Sequence, residues 1–238
     1  VIATVEAPPL TGWPAVPSAL REIRRAVRYR RHILDACLRW ATPLMKGVVV
    51  DLGGKRDRRR GTFEPALDPG TTWIYVNIDA GTRPDVFADV AAVPIADGAV
   101  DCIVCTEVLE HIPDPVACVR EVRRLLRPGG AFIGSVPFLI PIHADPDDFQ
   151  RFTAHGLRQL FRDFSRVEIL RMGGYFGVLG TFIEMGMRQI PEKRPGSLLL
   201  RRAFFECGRL LQWWDARMFD TAPSSSAFTT GYFVVAFR

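Results

Sequence analysis

Apolar residues gather in short runs at 47–52, 73–78, 85–90, 100–105, 131–136 and 167–170, each of strand length and most separated by helical patterns or turn clusters. Elsewhere the spacing widens to a helical period. Leu157, Leu160, Phe161 and Phe164 fall at i, i+3, i+4 and i+7 behind Thr153, which predicts a helix over 153–164. Asp114 before Pro115 reads as an N-cap with proline at the first helical position, and the helix it opens stops at Arg127-Pro128-Gly129-Gly130. Strands alternating with helices predict an α/β fold, a Rossmann-like doubly wound sheet that is mostly parallel and covered on both faces.

The flanking segments differ. Residues 1–17 hold four prolines without periodicity and read as an extended arm. From Ser18, the residues Leu20, Ile23, Val27, Leu34, Cys37, Leu38 and Ala41 recur near helical spacing, so 1–45 form an arm and a helix ahead of a domain over 46–238. After the sixth strand, 173–226 reads as a mostly helical insert, with Leu200, Phe204, Cys207, Leu211, Trp214 and Met218 along one stripe, before a last strand over 227–237.

With 238 residues, 48% of them hydrophobic and 24% charged, the chain suits one α/β domain with additions and excludes a disordered, collagen-like or disulfide-framework protein. Five scattered cysteines fit a reducing compartment, and Cys102-x-x-Cys105 lies in a strand, where i and i+3 face opposite sides, which argues against a metal or redox pair. The net charge is +5, yet residues 19–60 hold thirteen Lys/Arg against four Asp/Glu. A solvated helix face with a basic loop is the plainer reading of that block; a surface for phosphate or anionic lipid is the alternative. The longest uncharged run, 221–237, is broken by Pro, Ser, Thr and Gly and is too short to span a bilayer. With no signal-peptide pattern at the start, the expected location is cytoplasmic, with peripheral membrane contact as its variant.

In an open parallel sheet, ligands sit beyond the carboxyl ends of the strands. The first predicted strand runs into Asp51-Leu52-Gly53-Gly54-Lys55, the second into Asn77-Ile78-Asp79, the third into Ala88-Asp89-Val90 and the fourth into Thr106-Glu107-Val108-Leu109-Glu110-His111. Four successive strands thus deliver small or acidic groups to one edge. Asp79, 26 residues beyond Gly53, is placed to bind a ribose diol.

The series VVVDLGG, YVNID, ADVAAVPIADGAVDCIVCTEVLEHIPDP, LLRPGGAFIGSVP and YFVVAF resembles the class I S-adenosylmethionine-dependent methyltransferases of the small-molecule group, over about residues 45–172 and the final strand. The resemblance implies a seven-stranded sheet with an antiparallel last strand and S-adenosylmethionine as cofactor, S-adenosylhomocysteine being the product. It implies that Asp51, Gly53 and Gly54 line the methionine end and that Asp79 holds the ribose hydroxyls. Asp89 would then accept from the adenine amino group beside Val90, with Thr106 near the methionine end. Acidic groups suit an ammonium and a diol but would repel a diphosphate, which disfavours a dinucleotide; Gly-x-Gly-x-x-Gly is also absent. The family usually reads Asp-x-Gly-x-Gly, and Lys55 occupies the final glycine's place here.

Methyl transfer to a hydroxyl requires removal of its proton, and a base of near-neutral pKa suits that task. Of the four histidines, His111 follows the fourth strand and His143 the fifth, whereas His32 and His155 sit on helices and are expected at the surface. His143 stands among Asp145, Asp147 and Asp148 and before Arg151. It reads as a catalytic base oriented by a carboxylate, as loop packing with Arg151 paired to Asp147 or Asp148, or as part of a Mg²⁺ site. His111 is the second candidate base, and no metal is predicted. The acceptor pocket is expected from residues 1–45, the loop 137–153 and the insert, with Tyr175, Phe176, Phe182, Phe204, Phe205, Trp213 and Trp214. The expected partner is a small-molecule acceptor, glycosylated, polyketide-like or lipid-like. A nucleic-acid partner is disfavoured because no RNA-binding module or base-methylation motif is present; a non-catalytic cofactor-binding protein is the remaining alternative.

Overall fold

The computed structural model describes residues 29–56, 61–65, 68–144, 146–191, 196–218 and 227–238. The predicted arm, the helix before Tyr29, the arginine run at 57–60 and Asp145 lie outside the described residues.

Helix α1 (Tyr29–Ala41) leads into strands β1 (Val48–Leu52), β2 (Thr72–Asn77), β3 (Val86–Phe87) and β4 (Val100–Thr106). Then come α2 (Pro115–Leu125), β5 (Leu126–Pro137), α3 (Ala154–Leu160) and β6 (Arg166–Arg171), followed by the insert helices α4 (Tyr175–Arg188) and α5 (Ser197–Met218) and by β7 (Gly231–Phe237). The seven strands lie in the order β3-β2-β1-β4-β5-β7-β6. Those from β3 to β5 pair in parallel, and β7 runs antiparallel between β5 and β6. Strand order therefore reverses between β1 and β4, where a crevice is expected.

The period-two alternation of the strands builds two cores. Val50, Leu52, Ile103, Cys105, Phe132 and Val234 pack with α2 and α3 on one face; Val49, Cys102, Val104, Ile133, Phe233 and Val235 pack with α1 on the other. Cys102 and Cys105 are thereby separated by the sheet, as strand geometry requires. Both predicted caps are made: the Ala117 amide donates to the Asp114 carboxylate at 3.0 Å and the Gly156 amide to the Thr153 hydroxyl at 3.1 Å.

Several boundaries move for local reasons. The third strand is two residues long, not six, because the Ala91 amide bonds the Asp89 side chain at 2.8 Å and turns the chain away. Helix α3 stops at Leu160, four residues early, where the Phe164 amide bonds the Phe161 carbonyl at 3.0 Å in a tighter turn that still buries both rings. The last strand begins at Gly231 rather than 227, since Thr229 and Thr230 spend their hydroxyls on Met172. Strand β5 begins at Leu126, and the Arg127–Gly130 stop is absorbed into its irregular start.

The apolar stripe predicted for the insert is not its buried face. In α5 the buried residues are Ser197, Gly208, Gln212, Asp215 and Ala216, while Leu200 and Trp214 are 48% and 46% exposed. The two helices meet through glycine: a Cβ on Gly180 would lie 2.8 Å from the Gly208 carbonyl oxygen. Buried Asp215 accepts from the Tyr29 hydroxyl and, at 2.8 Å, from the Gly174 amide, pinning the insert to α1. Nor is α1 a solvated basic helix, since Arg30 and Arg31 are paired to Glu107 and Asp35.

Candidate active site

A cavity of about 980 Å³ opens at the carboxyl ends of β1, β2 and β4, at the reversal of strand order. Asp51, Gly53, Gly54, Asp79, Asp89, Val90 and Thr106 all line it, as does His111. His143 does not, and the insert contributes none of the lining; Tyr175, Phe182, Phe205, Trp213 and Trp214 are exposed instead.

The turn after β1 needs both its glycines. Gly53 has φ +75°, and a Cβ there would stand 2.5 Å from Val108; a Cβ on Gly54 would stand 2.6 Å from an Asp51 carboxylate oxygen. Burial pushes the Asp51 carboxyl up to about 7. The Asn77 amide group donates to the Gly54 carbonyl at 3.0 Å, and its oxygen accepts from the Asp79 amide at 2.9 Å, tying the first two loops together. Asp79 and Asp89 each spend one oxygen on their own turn, accepting from Gly81 and Ala91 at 2.8 Å, which leaves the second oxygen of each for a ligand. Val90 beside them is buried. Lys55 and Arg56 also stand on the wall, Arg56 pairing with Asp85 and lying over the Tyr75 ring at 5.4 Å.

Beyond β4 the chain bends sharply at Glu107, a non-glycine residue at φ 57°. Arg30 binds its carboxylate with both terminal nitrogens, one of them at 2.6 Å, and the Ser135 hydroxyl donates to it at 2.6 Å. Burial alone would raise the Glu107 carboxyl, and the Arg30 guanidinium reverses this, holding it below the ordinary range. Glu110 is fully buried with neither carboxylate oxygen hydrogen-bonded. Burial raises its pKa, and the Glu110 carboxylate in turn raises that of His143.

His111 and His143 meet edge to face with ring centroids 5.3 Å apart. Both point Nε2 at Glu110 Oε1, at 3.6 and 3.7 Å. His111 Nδ1 contacts the Asp147 carbonyl, and His143 Nδ1 lies 3.5 Å from the Asp148 carboxylate. Arg151 pairs with Asp148, one nitrogen at 2.7 Å, and holds that carboxyl far below its usual range; the His143 amide donates to Asp148 at 2.9 Å. His155 is exposed as expected, but His32 is half-buried within α1. The roles of Arg30, Glu107 and Glu110 were not predicted. The spacing Glu-x-x-Glu-His directly after a strand was the available signal for the two carboxylates.

Sheet order, a single set of reversed pairings around β7 and an acidic cavity at the switch point match the seven-stranded Rossmann-like architecture that the sequence resemblance implies. A family model described as a methyltransferase domain matches residues 65–134, and together with the relatives and solved structures below it supports a class I S-adenosylmethionine-dependent methyltransferase. It is 54% identical over 78 residues to a ubiquinone biosynthesis O-methyltransferase of Xanthomonas oryzae pv. oryzae, covering 30% of this chain and 33% of that protein. It is 30% identical over 114 residues to a probable S-adenosylmethionine-dependent methyltransferase of Mycolicibacterium smegmatis, covering 47% and 43%. The chain thus matches less than half the length of these curated relatives. In fold it is similar to the crystal structure of an S-adenosylmethionine-dependent methyltransferase from Archaeoglobus fulgidus, with a TM-score of 0.53 at 15% identity over 87% of this chain and 94% of that one.

Proposed function

We propose that the chain binds S-adenosylmethionine in the cavity and transfers its methyl group to a hydroxyl of a small-molecule acceptor. The observation that carries the reading is the convergence of Asp51, Gly53, Gly54, Asp79, Asp89, Val90 and Thr106 on one cavity wall. Asp51 faces the methionine ammonium, Asp79 the ribose diol and Asp89 the adenine amino group, the last two with the oxygen their turns leave over. In the reaction an acceptor oxygen attacks the methyl carbon, the carbon–sulfur bond breaks and the cofactor leaves as a neutral thioether, while the acceptor gives up its proton.

Handling of that proton falls to the Glu110–His111–His143 group as a unit, because His111 is on the wall and His143 stands directly behind it. A small acceptor is favoured over nucleic acid because Arg30, Arg31 and Arg56 of the basic block are paired with carboxylates of the same chain. The exposed apolar stripe of α5 supports an amphiphilic acceptor met at a lipid surface. Calorimetric titration with S-adenosylhomocysteine tests the reading: Asp79→Ala should weaken binding about tenfold or more, the scale of a lost charged hydrogen bond. Folded wild-type protein that shows no binding refutes it.

A further inference from the structure

Glu110 presents a physical problem that the cofactor site does not solve. Its side chain is fully buried and neither oxygen has a hydrogen-bond partner, a costly state for a carboxylate. Two imidazole nitrogens aim at it, His111 Nε2 at 3.6 Å and His143 Nε2 at 3.7 Å, and one ligand atom from each of the three residues fits within 4.8 Å of the others. Two ligand atoms bound tetrahedrally to one ion at ~2.0–2.1 Å are themselves roughly 3.4 Å apart, close to these separations. The far side of each ring is occupied as well. His111 Nδ1 is against the Asp147 carbonyl, which only accepts, so the proton sits on Nδ1 and the Nε2 lone pair is left for a Lewis acid. His143 Nδ1 faces Asp148, itself fixed by Arg151 and by the His143 amide. The His111 ring is thus oriented from behind by a carbonyl, as in the usual outer layer of a metal site, while His143 Nδ1 stands 3.5 Å from the Asp148 carboxylate without a hydrogen bond.

We propose that Glu110, His111 and His143 hold one first-row divalent transition-metal cation at the margin of the cavity. Two nitrogens and one carboxylate select an ion such as Zn²⁺ or Mn²⁺ over Mg²⁺ and Ca²⁺, which favour all-oxygen sites. Asp148 is a positioning residue, since Arg151 already takes both of its oxygens. His111 belongs to both the ion site and the cavity wall, which puts the cation within one side chain of the bound acceptor. For its purpose the inference rests on the methyl-transfer reading: the three residues would handle the acceptor proton through the ion, which would bind the acceptor oxygen so that the O–H proton leaves to solvent, and the oxygen would then attack the methyl carbon as the carbon–sulfur bond breaks.

The test is metal binding, read without any acceptor. Chelator-stripped full chain is titrated with Zn²⁺ against a chromophoric chelator and with Mn²⁺ by electron paramagnetic resonance. One ion per chain is expected, with affinity lowered about tenfold or more in the near-isosteric Glu110→Gln and in His143→Ala, and lowered also in Asp148→Asn. Millimolar Mg²⁺ should leave Zn²⁺ in place. S-adenosylhomocysteine affinity, measured on the same preparations, should not change. Absence of saturable Zn²⁺ binding, or equal binding in both ligand variants, as exposed Cys207 would give, overturns the metal site. Loss of S-adenosylhomocysteine binding alone would instead strike at the methyl-transfer reading.

Discussion

On the proposed reading, Asp51 gives the cofactor site a built-in pH dependence. Burial raises its carboxyl from 3.8 to about 7, so the free protein holds a proton there that a solvated aspartate would have lost. An ammonium seated against Asp51 favours the ionised form, so binding below pH 7 expels that proton and affinity rises with pH. With half-ionisation near 7, the ionised fraction is about 0.76 at pH 7.5 and about 0.09 at pH 6, a weakening of about eightfold or ~1.2 kcal/mol. The sign for the empty protein is opposite: a carboxyl raised on folding lowers stability as pH climbs from the unfolded value towards 7. Calorimetry with S-adenosylhomocysteine between pH 6 and 7.5, in two buffers of different ionisation heat, reads both the affinity and the proton released. Asp51→Asn should bind more weakly and lose the pH slope. A flat wild-type profile with no proton release would refute the placement of the ammonium at Asp51.

Gly54→Ala should cost about tenfold in S-adenosylhomocysteine affinity, the scale of overpacking by one methyl, because the new Cβ displaces the Asp51 carboxylate; titration of the folded variant checks it. Arg30→Met strands Glu107 and should lower unfolding free energy by about 3 kcal/mol in a denaturant melt. Because the Glu107 pKa is depressed, that deficit should shrink as pH falls below the ordinary carboxylate range, and a deficit independent of pH would show that the pair is not its source. On α5, Leu199, Ala203, Cys207, Leu210 and Trp214 form an exposed stripe beside exposed Arg202 and Arg209, so the chain should co-sediment with anionic vesicles at low salt. The Leu210→Ala, Trp214→Ala double variant should lose that association while keeping S-adenosylhomocysteine affinity, and wild-type protein that stays in the supernatant would contradict the surface role.

The cavity wall was legible in the sequence because each of these residues is local to a strand end: Asp51, Asp79, Asp89 and Thr106 follow apolar runs whose direction is fixed by the parallel sheet. The cluster around Glu107 and Glu110 was not, because it depends on pairings between distant segments. Arg30 reaches Glu107 across 77 positions and His143 reaches Glu110 across 33, and no periodicity encodes either meeting. The insert misled for another reason. Leu200, Phe204, Cys207, Leu211, Trp214 and Met218 satisfy a core-facing spacing, but α5 packs through Gly208, Gln212 and Asp215, so the helical period located a stripe without telling which way it faced. No helix among the described residues is long and apolar enough to cross a membrane, so that stripe is not part of a span.

The bond between Tyr29 and Asp215 bears on any attempt to trim the molecule. Excising 173–226 to obtain a minimal catalytic fragment would remove the carboxylate that accepts from a phenol only 2% exposed, and would open the patch of sheet-side core that Ala216 closes. What reads in the sequence as an appendage is thus wedged into the foundation. A truncated fragment should be paired from the outset with Tyr29→Phe, or its failure to fold will be misread as proof that the hairpin takes part in the chemistry.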